Sequence, residues 1–295
     1  MQEFTALDFP ATVRKLASFN TWRLSPEAES AADEQELHSL ELDFVEVERG
    51  HIAERAACAP TDAPGFLAWF SDLERVGPGQ HDPLFDYLEE RATLDEMKWF
   101  LRQELAGEAG FDDLVALTQV KMPTRAKLEL ARNYWDEMGQ GHPGGMHGPM
   151  LSRLAEELGI QHAPEAGVNE VVWESLALSN LMLALAAHRR HAYRSIGALG
   201  AIELTAPGRA RKVNAGLKRL GIGGEARRYF ALHATLDVKH SEDWNREIIG
   251  PLVENDPRLA RPIAEGALLR LRAGQRCFER YKKEIGLTRV VAAAS

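Results

Sequence analysis

The chain lacks the short alternating runs of Val, Ile and Thr, bounded by Asn-Gly or Asp-Gly, that announce strands. Its apolar positions are interleaved with Ala, Leu, Glu and Arg in longer runs, which favours helix throughout. Breaker clusters divide these runs at residues 59–65 (APTDAPG), 76–83 (VGPGQHDP), 139–145 (GQGHPGG), 163–167 (APEAG), 206–208 (APG) and 221–224 (GIGG). The segments between them have the lengths of bundle helices, about 10 to 30 residues, joined by short connections. Thr93 with Glu96 three residues on forms a capping-box pattern ahead of a helical run, and Pro123 before Thr124 sets off another. The apolar stretch Leu176 to Ala187 is interrupted by Ser179 and Asn180 and is too short to span a membrane, which takes roughly 20 residues, so it is expected as a buried helix. No repeat or flexible linker is present, and the expectation is one all-α domain over 1–295. Within it, N-terminal helices over about 1–90 pack on a core over about 93–250, and a last helix covers 256–287.

Composition narrows the function. A chain of 295 residues that is 45% hydrophobic buries a sizeable core. A formal net charge of −9 disfavours nucleic acid and anionic membranes as partners. Two cysteines, Cys58 and Cys277, make no disulfide framework or thiolate metal knuckle, and the N-terminus does not read as a signal peptide, so the cytoplasm is the expected compartment.

The sharpest chemical signal is YFALHATLDVKHSEDW at 229–244, where His233, Asp237 and His240 stand at i, i+4 and i+7. On a helix those offsets place two imidazoles and a carboxylate on one stripe. Such a stripe is either a metal-ligand face or a solvated polar face. Carboxylates elsewhere would complete a metal site of Fe, Mn or Zn type. Glu203 is one, set among Ile196, Ala198, Leu199, Ala201 and Ile202, where an unpaired carboxylate would be costly. Glu104 is another, with Glu108 as its rival. Glu137 and His147 form a third place, with Asp136 and His142 as rivals, and the Pro143-Gly144-Gly145 break prevents one uninterrupted helix from carrying both.

Four motifs, with DEMGQG and MHGPML together making one, resemble in order those of the haem-oxygenase-like diiron oxidases and oxygenases, also described as iron-containing redox enzymes. FLRQE ends at Glu104, DEMGQG carries Glu137, and MHGPML carries His147. GALGAIE ends at Glu203, and FALHATLDVKH carries His233, Asp237 and His240. The chain departs from the family pattern at His142 to Gly145, where relatives carry a charged or longer insert.

The resemblance implies a haem-oxygenase-like helical bundle holding two iron ions per chain, Fe(II) or Fe(III), with manganese an admissible substitute. It implies Glu137, His147 and His233 on one ion and Glu203, Asp237 and His240 on the other, with Glu104 bridging or completing the set. Catalysis would run through this centre, with O2, a small-molecule substrate and an external electron donor as partners, and a homodimer is compatible with it. The implied reactions are oxidations of a small amine, amino-acid-like or carboxylate metabolite, of a kind found in biosynthesis. An extra carboxylate at Glu104 is associated with N-oxygenation; desaturation and C–C cleavage are the alternatives. Arg190 and Arg194 are weighed as partners for a substrate carboxylate against ordinary solvated arginines. A haem-binding or metal-free relative of the same fold, or a helical protein whose polar residues only decorate the bundle, are the competing classes.

Overall fold

A computed structural model of the chain describes residues 9–26, 28–29, 33–107, 110–160 and 170–287. The described residues are helical and contain no β-strand, only a single antiparallel bridge between Met138 and Met146. The APEAG cluster at 163–167 and Glu108 lie outside the described residues.

The helices that position the site are α1 (Phe9–Arg23), α2 (Glu34–Gly50), α3 (Ala53–Ala57), α4 (Ala63–Val76), α5 (Pro83–Glu90), α6 (Leu94–Gly107), α7 (Phe111–Thr118), α8 (Thr124–Glu137), α9 (His147–Leu158), α10 (Trp173–Ala187), α11 (Ala192–Arg219), α12 (Arg228–Asp243), α13 (Gly250–Asn255) and α14 (Ala260–Glu284). Their starts follow local chemistry. The Thr93 backbone N–H donates to Glu96 Oε2 at 2.8 Å and the Glu96 N–H donates to Thr93 Oγ1 at 3.3 Å, so the expected capping box opens α6. Asp62 and Asp82 cap α4 and α5 by accepting from Gly65 N and Leu84 N, each with proline in the first turn.

The apolar run at 176–187 lies in α10, buried over most of its circumference. A buried apolar cluster extends from Val13 on α1 to Tyr281 on α14. Helix α11 runs through the middle, packed along both α12 and α14. Its crossing with α14 depends on two glycines: a Cβ at Gly197 would overlap the Ile263 carbonyl, and one at Gly266 would overlap that of Arg194. The two backbones therefore touch, an approach that any side chain at either position would prevent.

One expectation is corrected. The APG cluster at 206–208 was expected to separate two helices, but α11 continues through it with Pro207 inside. Proline removes one backbone donor, here the N–H that would have reached the Glu203 carbonyl one turn earlier, and burial of Ala201, Glu203, Leu204, Ala210 and Val213 on both sides outweighs that loss. Packing overrides the local signal.

Candidate metal centre

Helix α12 reverses the usual amphipathic arrangement. Its buried positions are His233, Asp237, His240, Ser241 and Asp243, while Val238 is exposed. The i, i+4, i+7 stripe thus faces inward, and the solvated polar face is excluded. Directly after it the chain adopts a π-helical turn, Trp244–Ile249, a form of helix often found at functional sites. The Trp244 indole packs where Gly200 leaves room and donates to the Ile196 carbonyl at 3.1 Å, which locks α12 against α11 at the level of Glu203.

Glu137 ends α8, and two 3-10 turns, Gly139–Gly141 and Pro143–Gly145, fold the chain back so that His147 opens α9. Gly139 has φ 61°, and a Cβ there would come within 2.6 Å of the Gly145 carbonyl carbon. This tight return brings Glu137 and His147 together with Glu137 Oε2 and His147 Nε2 at 2.5 Å. His142, the rival of His147, is exposed on the turn.

Six of the expected residues, Glu137, His147, Glu203, His233, Asp237 and His240, are buried. Two compact groups arise from them: Glu137 with His147 and His233, and Glu137 with Glu203 and His240. His147 Nε2 and His233 Nε2 are 2.6 Å apart, and Glu137 Oε2 lies 3.5 Å from His233 Nε2. On the other side, His240 Nδ1 lies 3.4 Å from Glu137 Oε1 and 3.5 Å from Glu203 Oε2. The two oxygens of Glu137 are thus divided between the groups. Asp237 belongs to neither compact group but lines the same cavity, with its buried Oδ1 lacking a hydrogen-bond partner among the described residues.

Neighbouring groups orient these side chains. The Tyr229 carbonyl lies 2.7 Å from His233 Nδ1, so a proton on that nitrogen leaves Nε2 with a free lone pair. Asp136, the rival of Glu137, sits outside the cluster with Oδ2 at 3.2 Å from His240 Nε2, which turns Nδ1 inward. Asn133 Nδ2 donates to Glu203 Oε1 at 2.6 Å. Such outer contacts fix ring orientation in metal sites.

Without a metal ion, protons compensate the buried carboxylates. Burial, then Glu203 and Glu137, push the Asp237 carboxyl up to about 9. For Glu137, burial alone would raise the pKa, but His147 and hydrogen bonds from His233 and His240 hold it well below the ordinary carboxylate range. For His240, burial opposes the charged form, yet Glu137 and Glu203 raise the pKa to about 11. Three buried carboxylates that each cost several kcal/mol to desolvate, with the Nε2 atoms of His147 and His233 gathered at 2.6 Å, form a set that a metal ion satisfies. The residues therefore fit iron. A third group, His38, Glu41 and His188, does not: Arg23 already holds both Glu41 oxygens at 3.0 and 2.5 Å.

Glu104 lies in the same cavity but outside both groups. Its neighbours there are Arg270, the Tyr281 hydroxyl and Arg209, and burial raises its pKa in spite of them. Of the arginines weighed from the sequence, Arg194 is bound to Glu265 at 2.7 Å and Arg190 is exposed. Arg209 and Arg270 line the cavity instead, and sequence reasoning missed both. Spacing carries no signal for them, because their meaning depends on helices α6, α11 and α14 converging.

Among the described residues no helix is long and apolar enough to cross a membrane. No curated protein matches the chain. Residues 98–275, more than half of the chain, match the family of iron-containing redox enzymes, and this span includes every residue of the two groups as well as Asp237 and Glu104. The chain belongs to the haem-oxygenase-like family of iron-containing redox enzymes.

Proposed function

We propose that this chain is a non-haem diiron oxidase or oxygenase that uses O2 to oxidise a small organic metabolite. Glu137, His147 and His233 would hold one ion, and Glu203, Asp237 and His240 the other. Glu137 would take the bridging place that the family resemblance offered to Glu104. The observation that carries this is the division of the two Glu137 oxygens between two groups of buried ligands. The unpartnered Asp237 Oδ1 supports it, since a buried carboxylate oxygen without a donor is costly.

Iron bound in this way supplies the redox chemistry, reducing O2 and oxidising the substrate. The protein's own residues do the rest. Tyr229 and Asp136 orient His233 and His240, Asn133 orients Glu203, and apolar side chains line much of the rest of the cavity. Because Glu104 stands beside arginines and not among the ligands, oxidation at carbon, by desaturation or C–C cleavage, is favoured over N-oxygenation. A haem-binding relative needs one proximal histidine and has no use for three buried carboxylates.

The test is metal analysis of the full chain after anaerobic loading with Fe(II), and in parallel with Mn(II), followed by O2 uptake with candidate substrates. Two irons per chain and substrate-dependent O2 uptake are expected. One iron or none, or a haem absorption band on reconstitution, would refute the proposal.

A further inference from the structure

The cavity that holds the ligand groups has a second polar end. Arg209 on α11 lies over the rings of Phe85 and Phe278, at 5.9 and 5.6 Å from their centroids, and donates to Thr205 Oγ1 at 3.0 Å. Arg270 on α14 lies across from it. Its Nη1 occupies the space above Gly274, where a Cβ would stand 2.8 Å away. Among the described residues Arg270 donates no hydrogen bond, and neither guanidinium is within ion-pair distance of a carboxylate. Glu104 is the nearest countercharge, and burial disfavours its ionised form. Two half-buried guanidinium groups with at most one carboxylate leave an excess of at least one positive charge at this end.

A cation left so poorly paired inside a protein costs stability, and natural interiors rarely keep one without use. The rest of the wall between the two ends is apolar and includes Phe100, Leu101, Leu105, Leu178, Met182 and Ile202. Arg209 follows Glu203 by six residues on the same helix, a rise of about 9 Å, so the cationic end and the ligand groups sit at opposite levels of one chamber.

We infer that Arg209 and Arg270 form an anion-binding subsite, and that the substrate is a monocarboxylate whose apolar body extends from them towards Glu203 and Asp237. The planar fork of arginine suits a carboxylate held through two hydrogen bonds. A monoanion is accommodated whether or not Glu104 is ionised, whereas a phosphate dianion is matched only when Glu104 holds its proton. The subsite rests on the proposal that this chamber is where substrate is oxidised, but its affinity for an anion does not require iron.

The test is calorimetric titration of octanoate, octyl phosphate, octanol and octylammonium into the full chain, without metal and after Fe(II) loading. Without metal, octanoate is expected to bind at least tenfold more tightly than each of the other three. Arg270→Gln and Arg209→Gln should each weaken octanoate at least tenfold and leave octanol unchanged. Glu104→Gln should not weaken octanoate, because the group it removes can only compete for the arginines.

Octanol binding as tightly as octanoate would overturn the subsite, as would octanoate binding only when iron is present. Tighter binding of octyl phosphate would overturn the carboxylate assignment. If an arginine variant loses its circular-dichroism signature, the ligand ranking in the unsubstituted chain still decides. His233→Ala separates the two proposals: iron lowered to about one per chain with octanoate selectivity intact supports both. Iron at two per chain in the unsubstituted protein without octanoate selectivity sinks only the subsite, and octanoate selectivity without iron sinks only the metal centre.

Discussion

Asp237 and His233 carry different burdens in the buried cluster, and substitution separates them. His233 closes the group with Glu137 and His147, so His233→Ala should lower iron from two per chain to about one. Asp237, whose buried Oδ1 lacks a partner, is assigned to the other ion, and Asp237→Ala should remove that ion instead. Iron analysis checks both, and unchanged stoichiometry in the two variants refutes the assignment.

The pH dependence follows from the same groups. In the metal-free protein the Asp237 pKa is raised to about 9 from 3.8, and that of His240 to about 11 from 6.5. A group raised on folding stabilises the fold below its unfolded value and loses that contribution as pH climbs towards the folded one. Metal-free stability should therefore fall steadily from about pH 5 to 9. Glu137, held low, acts in the opposite sense only below its ordinary value of 4.5. Iron must displace the protons on Asp237 and His240, so its affinity should rise over the same interval. Melting curves at several pH values, with and without Fe(II), should diverge as pH rises; parallel curves would contradict this coupling.

At this scale the stripe of His233, Asp237 and His240 was legible from helical spacing alone. Spacing did not separate Glu137 from Asp136 or His147 from His142, as only the resemblance did; the return at Gly139 buries Glu137 and His147, and periodicity does not describe a tight turn.

Among the elements, α11 bears the heaviest constraint, since it meets α14 backbone to backbone at Gly197 and presents Glu203 to the cluster about two turns later. Gly197→Ala should cost about 1 to 3 kcal/mol through overpacking and lower the melting temperature by several degrees. Because the shift displaces Glu203 relative to α12, the variant should also bind iron more weakly at temperatures where it remains folded. Iron titration below the melting transition checks this, and normal affinity would show that the crossing serves stability alone. The glycines of GALGAIE were visible in the sequence as part of a resemblance, but their purpose was not. Gly197 answers to Ile263 and Gly200 to Trp244, partners 66 and 44 residues away in the sequence. Pro207 misled for the converse reason, since a breaker is read locally while the burial that overrides it is not.

For the molecule as a whole, the polar inward face of α12 makes the fold depend on what it encloses. An ion that binds only the folded chain stabilises it by about 2.7 kcal/mol at a hundredfold excess over its Kd, so Fe(II) should raise the melting temperature by on the order of 5 °C. The gain should be uneven. Residues 229–243 follow the glycine-rich connection at 221–224 and bury polar and charged side chains, so their amides should gain the most protection from hydrogen exchange. Equal protection with and without iron would indicate a preformed site. The all-helical architecture was legible because composition and breakers agree along most of the chain. The cavity was not, since it is made by helices that sequence order keeps apart.

Helix α11 also acts as a ruler. Glu203 marks one end of the cavity and Arg209 the other, and a helix fixes both the spacing and the bearing between two such marks. One residue added between them would turn Arg209 by about 100° around the axis and carry it away from Arg270. A relative could therefore change its preferred substrate length in whole helical turns without altering a single ligand. Pro207 stands between the marks, and there the helix lacks one of its own hydrogen bonds.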